Sequence, residues 1–320
     1  MTATKTFGMT RRELGRTVAA LATLSAAGAL PLRAAETDPV VWYADAVTPE
    51  NLRAIYAKLA GEVKGRVGIK IHGGEAAVNL DLWRSLQESI PESSFIETNW
   101  ASDFGGSRRH TRTHIEVVRQ QGVDFAPIDV LDRDEGREDY RSVPVAGGAE
   151  LKEIEVPSSM LRDYAAIVAL TNFKIPSFAG YTGCVKNTGI GLVSPDGKAR
   201  VHGPGYDRIP EFFVRLADAA KGVSDAFRAE NRKLLHINVI TNLKADPVPG
   251  CDAPKGGSLG IVGSLDMVAA DQAAVDLVWG LKPEEYDAMD EKTKIDRGFL
   301  QLECLGKIGA GSRTYRLEKI

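Results

Sequence analysis

The sequence predicts an α/β protein with a mostly parallel sheet flanked by helices. Two observations predict this class: short β-type runs alternate with helical patterns, and runs such as "AAIVALTNF" are apolar throughout, as buried strands are. When an N-terminal segment is set aside, about 285 residues remain, which is long for a single sheet. We therefore expect two α/β lobes, residues 36–150 and 151–320, with the functional site between the ends of strands.

The predicted elements follow one another in a regular order. Before the expected boundary they are strand "RVGIKIHG", helix "NLDLWRSLQESI", strand "SSFIETN", helix "SRRHTRTHIEVVRQQG" and strand "FAPIDVLD". After it they are strand "AAIVALTNF", helix "IPEFFVRLADAAKGVSDAFRAE", strands "LLHINVITNL" and "SLGIVGS", and helix "LDMVAADQAAVDLVWG". The stretch "DRDEGREDYRSVPVAGGAELKE" between the two sets is rich in loop-forming residues, and it predicts either the seam between lobes or an edge hairpin.

The first 35 residues have the features of a secretory signal peptide. Arg11 and Arg12 precede an apolar stretch from Val18 to Leu30, and small residues follow it. This stretch is shorter than the about 20 apolar residues that span a bilayer. We therefore expect the segment to be cleaved, with no stable membrane insertion afterwards. The paired arginines predict the twin-arginine route, which exports folded proteins, and hence a periplasmic or secreted location.

Charge and cysteine content exclude several classes of protein. The chain has 40 Lys and Arg against 43 Asp and Glu; the first 35 residues hold five of these bases and one acid, so 35 bases, 42 acids and a net charge of −7 remain. Bulk charge of this sign does not attract nucleic acid or anionic membranes. Cys184, Cys251 and Cys304 are far apart, so no pair has the spacing of a zinc or iron–sulfur motif. At most one disulfide can form.

A glycine-rich stretch after a buried strand is the first candidate site. In "NFKIPSFAGYTGCVKNTG", Lys174 closes the strand, and Lys186 and Asn187 lie at the start of the next predicted helix. Ligands of open α/β sheets bind beyond the carboxyl ends of strands, and glycines allow the backbone to approach them. We predict that Lys174 and Lys186 bind a small anion. The alternative is a glycine-rich turn whose lysines face solvent.

The segment "SRRHTRTHIEVV" predicts a second part of the site. His110 and His114 are four residues apart and share one helix face. Arg108, Arg109 and Arg112 crowd the first turn, where cations oppose the helix dipole. A docked anion would offset that repulsion, whereas a solvated basic face is the alternative. Two histidines at this spacing can also hold a metal, but the stretch has no nearby acidic third ligand.

Asp271 is the candidate countercharge for the lysines. Within "LDMVAADQAAVDLVWG" it shares the apolar helix face with residues three and four positions away. A buried carboxylate needs a partner. We therefore predict that Lys174 and Lys186 converge on one anion, with Asp271 as their fixed countercharge. A purely structural ion pair is the alternative for Asp271.

The other histidines divide into site and core candidates. "KIHGGE" places Lys70, His72 and Glu75 at the end of a strand, and "GKARVHGPG" places His202 in a loop. Strand ends and loops are where binding and catalytic groups concentrate. His236, inside "LLHINVI", is predicted to lie in the core.

These motifs together resemble domain-of-unknown-function family 362, which occurs in bacteria and archaea. The resemblance covers nearly all of the chain after the signal segment. Its strongest block, a strand-end Phe-Lys, a glycine-rich turn and Lys-Asn-x-Gly-x-Gly, falls on Phe173, Lys174, Gly180, Gly183, Lys186, Asn187, Gly189 and Gly191. Its Arg-x-x-Thr-x-x-His element falls on Arg108, Thr111 and His114. Its late Ser-x-Asp-x-Val-Ala-x-Asp element falls on Ser264, Asp266, Val268, Ala269 and Asp271.

Departures from the family pattern bear on cofactors. Many relatives carry a four-cysteine iron–sulfur segment after the histidine that corresponds to His202, whereas "GPGYDRIPEFFVRLADAA" has no cysteine here. The late Cys-Asp-Cys of relatives becomes Cys251, Asp252 and Ala253. We therefore expect no iron–sulfur cluster, and the sequence assigns no other cofactor. The family has no established general reaction, so the resemblance implies a fold and a site rather than a function.

The sequence thus predicts an exported protein with one polar site, and an enzyme is the leading class. A redox reaction with a redox partner is suggested by family association, and metal binding stays open. A periplasmic solute- or metal-binding protein without catalysis is the alternative. The candidate catalytic residues are His114, His202 and Lys174. The candidate ligand-binding residues are Lys70, His72, Arg108, Thr111, Lys186, Asn187 and Asp271.

Overall fold

The fold is known from a computed structural model, which describes residues 37–100, 106–133, 140–175, 179–204, 210–241, 243, 257–280 and 283–320. The predicted signal peptide and Cys251 lie outside these residues. None of the described helices has the length and apolar character needed to span a membrane.

An eight-stranded sheet forms the centre of the described structure, and a two-stranded hairpin lies beside it. The strands are β1 (Val40–Ala44), β2 (Val67–Lys70), β3 (Ser93–Glu97), β4 (Ile128–Val130), β5 (Tyr140–Pro144), β6 (Glu153–Pro157), β7 (Ala166–Asn172), β8 (Lys233–Ile240), β9 (Gly260–Ser264) and β10 (Arg316–Lys319). The sheet order is β10-β1-β9-β8-β7-β2-β3-β4, and only β9 runs against its neighbours. The predicted α/β class with a mostly parallel sheet is confirmed.

Helices cover both faces of the sheet. They are α1 (Pro49–Ala60), α2 (Leu80–Glu88), α3 (Thr111–Gln120), α4 (Ser158–Asp163), α5 (Cys184–Gly189), α6 (Pro195–His202), α7 (Pro210–Ala229), α8 (Met267–Trp279), α9 (Pro283–Ala288), α10 (Glu291–Asp296) and α11 (Leu300–Lys307). Apolar side chains of α1, α2 and α3 form one core with the sheet, and those of α5 to α8 and α11 contribute to a second core. A short 3-10 helix at Gly73–Asn79 follows β2, and another at Gly106–Arg108 precedes α3.

The order of the strands leads us to expect a crevice at the carboxyl edge of the sheet. From β2 the chain proceeds outward through β3 to β4, whereas from β7 it proceeds the other way to β8. β2 and β7 are therefore neighbours at a topological switch point, where loops at the carboxyl ends diverge and leave room for a ligand. Lys70 pairs with Ala169 of β7 and with Ile96 of β3, so the ends of these three strands lie together.

The stretch that offered two interpretations is a hairpin. β5 and β6 pair in antiparallel fashion between Tyr140 and Pro157, across the expected lobe boundary. Strands from both sides of that boundary belong to the same sheet, and the chain from Ala34 onward forms one compact unit. The two segments predicted as lobes therefore share a single sheet and its two cores. The sequence analysis did not predict β1, β10 or the helices after α8. For the two strands the reason is that they are short and only half-buried.

Candidate functional site

A buried ion pair lies at the base of the crevice. Lys70, the last residue of β2, donates from Nζ to Oε2 of Glu97 at the end of β3, at 2.9 Å. Both side chains are nearly inaccessible, at 3% and 6% exposure. Burial alone would raise the pKa of Glu97, but Lys70, His114 and His72 lower it to about 2. Glu97 also accepts from the backbone N–H of Gly73, so the pair fixes the loop that follows β2.

The next layer, toward solvent, contains His72, Glu75 and Lys174. Lys174 donates to both carboxylate oxygens of Glu75 at 2.5 Å, and His72 Nδ1 lies 3.8 Å from Oε2 of the same group. These side chains are 31% to 38% exposed. The protein around the His72 ring lowers its pKa to about 4, with Lys174 and Arg108 acting in the same direction and Glu75 against them. His72 is therefore a neutral imidazole near pH 7.

Arg108 contributes a cation that has no polar partner among the residues the structure describes. Its guanidinium lies over the ring of Trp100, with Cζ 5.3 Å from the ring centroid. It is close enough to lower the pKa values of His72, Glu75 and His114. Arg108 thus lies near His72, Glu75 and His114, and its predicted role in ligand binding stays a prediction.

Lys186 lies on α5, half-buried, in the reach of the Lys174–Glu75 pair. Burial lowers the pKa of Lys186 to about 8; Lys174 acts in the same direction and Glu75 opposes both. The effect of Lys174 on the pKa of Lys186 indicates that the two ammonium groups lie near each other. Their convergence on one anion stays a prediction.

Asp271 is not the countercharge of these lysines. Its carboxylate accepts from the backbone N–H groups of Cys184 and Val185, at 2.7 and 3.0 Å, and from Asn238 Nδ2 at 2.8 Å. An added Cβ on Gly183 would come within 2.5 Å of both Asp271 oxygens, so the loop needs glycine there. Burial raises the pKa of Asp271 to about 6. Asp271 therefore holds the start of α5, and Glu75 is the carboxylate that pairs with Lys174.

Asn187 and Thr111 are positioning groups rather than exposed binders. Asn187 is 9% exposed, and its Nδ2 donates to Thr171 Oγ1 at 3.0 Å and to Leu170 O at 3.3 Å. Thr111 accepts from Asn99 Nδ2 at 3.2 Å. Asn187 thus holds α5 against β7, and Thr111 orients Asn99.

His114 lies beneath this surface, fully buried. Its Nδ1 contacts Asn99 Oδ1 at 3.3 Å, and its Nε2 has no hydrogen-bond partner among the described residues. Because Asn99 presents a carbonyl oxygen, the contact requires the proton on Nδ1. Burial lowers the pKa of His114 to about 4, and Arg108 and Lys70 act in the same direction.

Lys198 and His202, both on α6, complete the buried layer. Lys198 Nζ donates to Thr98 Oγ1, Asn99 O and Val193 O at 2.6 to 2.8 Å, although burial lowers the pKa of Lys198 to about 7. His202 Nδ1 bonds to Lys198 O at 2.7 Å, and burial lowers the pKa of its ring to about 4. These groups tie α6 to the end of β3.

Sequence reasoning missed Glu97, Lys198 and Asn99. A signal for Glu97 was available, because a charged residue closes the otherwise apolar run "SSFI". The signal for Lys198 was weak, because a lysine in a short helix is usually solvated. His236 lies in the core as predicted, at 1% exposure.

The described residues contain no group of three or more His, Cys, Asp or Glu side chains placed to hold a metal ion. Cys184 and Cys304 are buried free thiols, and burial raises the pKa of both.

Comparisons with known proteins give a family and a general likeness of fold. The profile of the family described as "Domain of unknown function (DUF362)" matches residues 75–276. No curated protein matches the chain. A Thermotoga maritima crystal structure is 14% identical with a TM-score of 0.41, over 73% of this chain and 60% of the other. The lactate racemase apoprotein from Thermoanaerobacterium thermosaccharolyticum is 13% identical with a TM-score of 0.45, over 78% and 58%. The chain thus spans less than two thirds of either structure.

Proposed function

The chain belongs to the DUF362 family, whose description names no reaction, and from the geometry of its site we propose that it is an enzyme acting on a small anionic molecule. One observation carries the proposal: among the described residues of the accessible layer, Arg108, Lys174 and Lys186 are all close enough to Glu75 to interact electrostatically with its carboxylate. The chain as a whole has a net charge of −3, so this local excess of cations is opposite to the bulk.

Electrostatics explains why an anion binds here. Lys70 and Glu97 pair with each other below, and the accessible layer above them brings Arg108, Lys174 and Lys186 near Glu75. Low-dielectric walls around a site of one sign concentrate its field and attract ligands of the other sign. A bound anion favours the ammonium form of Lys186, which burial and Lys174 disfavour.

Proton transfer is the chemistry that the residues support. Lys186, with its pKa lowered to about 8, exchanges a proton near neutral pH, as general acids and bases do. His72 is a neutral, partly exposed imidazole in the same crevice. In this proposal the cations hold the anion, Lys186 or His72 moves a proton, and Lys174 stays paired with Glu75. A redox reaction with an external redox partner is a more specific form of this proposed function, and only family association supports it.

A binding protein without turnover is the second candidate. The observation that favours it is the burial of His114, Lys198 and Asn187, whose polar atoms are largely engaged in holding the fold. Only the outer layer is then open to a ligand. The metal-binding form of this alternative has less support, because it needs a ligand set that the described residues do not form.

We also propose that the protein is exported by the twin-arginine route and acts in the periplasm or outside the cell, without an iron–sulfur cluster. Paired Arg11 and Arg12 before a short apolar stretch support export. The wide spacing of the three cysteines supports the absence of a cluster, because four close thiolates are the usual ligands.

Native mass spectrometry with metal analysis, on protein purified from the cells that make it, tests the function. We expect a co-purified small anion that Lys186→Met removes. Lys64→Met is the matched control, since Lys64 is exposed and precedes the amino end of β2, whereas the crevice residues follow its carboxyl end. Conversion of the released anion to a new mass by fresh protein distinguishes an enzyme from a binder. Loss of the ligand in both variants, or in neither, would count against the proposed site.

A further inference from the structure

His72 and Arg108 both approach Gly74. An added Cβ on Gly74 would lie 3.6 Å from His72 Cε1 and 3.7 Å from both Cζ and Nη1 of Arg108. The imidazole and the guanidinium are therefore near neighbours, and the sum of those distances puts Cε1 and Cζ at most about 7.3 Å apart. One small oxyanion can contact both groups, with hydrogen bonds of about 2.8 Å at each end.

The two groups offer opposite hydrogen-bonding character. Arg108 is a fixed donor, and its guanidinium has no hydrogen bond or ion pair within the described part of the chain. His72 Nδ1 points toward Glu75, with 3.8 Å between the nitrogen and Oε2. A lone pair facing a carboxylate is repelled by it, so the proton of the neutral ring belongs on Nδ1. Nε2 is then an acceptor on a ring that is 38% exposed.

We propose that His72 and Arg108 bind a small oxyanion that carries its own hydroxyl, with Arg108 donating to the charged oxygens and His72 Nε2 accepting from the hydroxyl. This inference rests on the proposed anion site and narrows its ligand class. Hydrogen phosphate and bicarbonate have the required chemistry, one tetrahedral and one planar.

The selectivity follows from pairing of lone pairs and protons. An anion without a proton, such as sulfate or nitrate, presents a lone pair to Nε2 and leaves that acceptor without a donor. Leaving a desolvated polar group unpaired is costly, which is how proteins separate ligands of equal shape and charge. Burial is the main reason why the pKa of His72 is lowered to about 4. Near neutral pH, Nε2 therefore stays unprotonated and cannot become a donor.

Calorimetric titration at about pH 8 compares two matched pairs, hydrogen phosphate with sulfate and bicarbonate with nitrate. We expect the hydroxyl-bearing member of one pair to bind about tenfold or more tightly than its partner. The pair that shows this preference identifies the natural ligand group as tetrahedral, like phosphate, or planar, like bicarbonate. His72→Gln provides an amide that both donates and accepts, so it should bring the favoured pair within about twofold.

Gly74→Ala supplies a second test that spares the fold. Its methyl group would make ordinary contacts with His72 and Arg108 while filling the space between them, and Gly74 has no positive φ that disfavours alanine. We expect unchanged thermal unfolding and at least tenfold weaker binding of the favoured anion. Gly306→Ala, on the exposed side of α11, is the control and should bind as the parent does.

The outcomes separate this inference from the proposed function. Equal affinity within both pairs overturns the hydroxyl requirement and leaves an anion site. Binding unaffected by Gly74→Ala places that anion elsewhere and also overturns the inference. If none of the four ions binds, the inference fails, whereas the co-purified ligand still decides the proposed function.

Discussion

Replacing Asp271 by Ala is expected to destabilise the protein without acting through Lys174 or Lys186. The Asp271 carboxylate accepts three hydrogen bonds, from the backbone of Cys184 and Val185 and from Asn238 Nδ2. Alanine removes the acceptor of all three donors. The start of α5 and the central strand β8 then each contain unpaired polar groups in a fully buried environment.

The magnitude follows from two opposing contributions. Three orphaned donors at about 2 kcal/mol each give about 6 kcal/mol of destabilisation. Burial raises the pKa of Asp271 from 3.8 to about 6, so keeping it ionised at neutral pH costs about 3 kcal/mol, which the substitution relieves. The expected loss in the free energy of unfolding is therefore on the order of 3 kcal/mol.

Urea unfolding at neutral pH of Asp271→Ala, Lys174→Ala and the double variant measures both the loss and the coupling. We expect the two losses to add within about 0.5 kcal/mol, because the side chains share no partner. A coupling above about 1 kcal/mol would restore Asp271 as the countercharge of the lysine. A loss below about 1 kcal/mol for Asp271→Ala would refute the reasoning about its three donors.

Three further predictions concern the buried pair, acid stability and export. Lys70→Met should cost about 3–5 kcal/mol in urea unfolding, because it leaves Glu97 buried and unpaired, and adding Glu97→Gln should recover most of that loss; no recovery would contradict the pair. Because burial lowers the pKa of His236 from 6.5 to about 3, the unfolded chain takes up a proton that the folded chain does not, and stability should fall as pH drops below about 6.5. His236→Gln should flatten that fall by about 1.4 kcal/mol per pH unit between about pH 5.5 and 4, and an unchanged slope in unfolding titrations would show that His236 is not responsible. Replacing both Arg11 and Arg12 by Lys should leave the precursor in the cytoplasm, as cell fractionation would show. Normal export of this variant would exclude the twin-arginine route.

The sequence was sufficient for the class of fold because periodicity is a local signal. The run that became β7 is apolar throughout, and the helix that became α8 begins at Asp266, whose carboxylate accepts from Val268 N and Ala269 N as a cap does. The local pattern did not predict that both halves of the chain share one sheet. It depends on β2 pairing with β7 across about a hundred residues, and hydrophobic pattern alone does not specify such partners.

The site was predictable in residue type but less so in pairing. Lys70, His72 and Arg108 were found because strand ends and crowded cations are visible in sequence. Which carboxylate partners which lysine depends on where the chain returns in space. Asp271 was therefore paired with the lysines, although the backbone of α5 already satisfies it and Glu75 is nearer to Lys174.

The position of β1 has a consequence for the order of assembly. β1 lies between β9 and β10, so its neighbours are made only after roughly 220 further residues have been synthesised. Until then Val41 and Ala44, buried in the finished sheet, lack the neighbouring strands β9 and β10. We therefore expect this corner to close last, as sequence-distant pairings do. Under the proposed twin-arginine export, which carries folded proteins, the pairing of β1 with β9 and β10 would have to be complete before export.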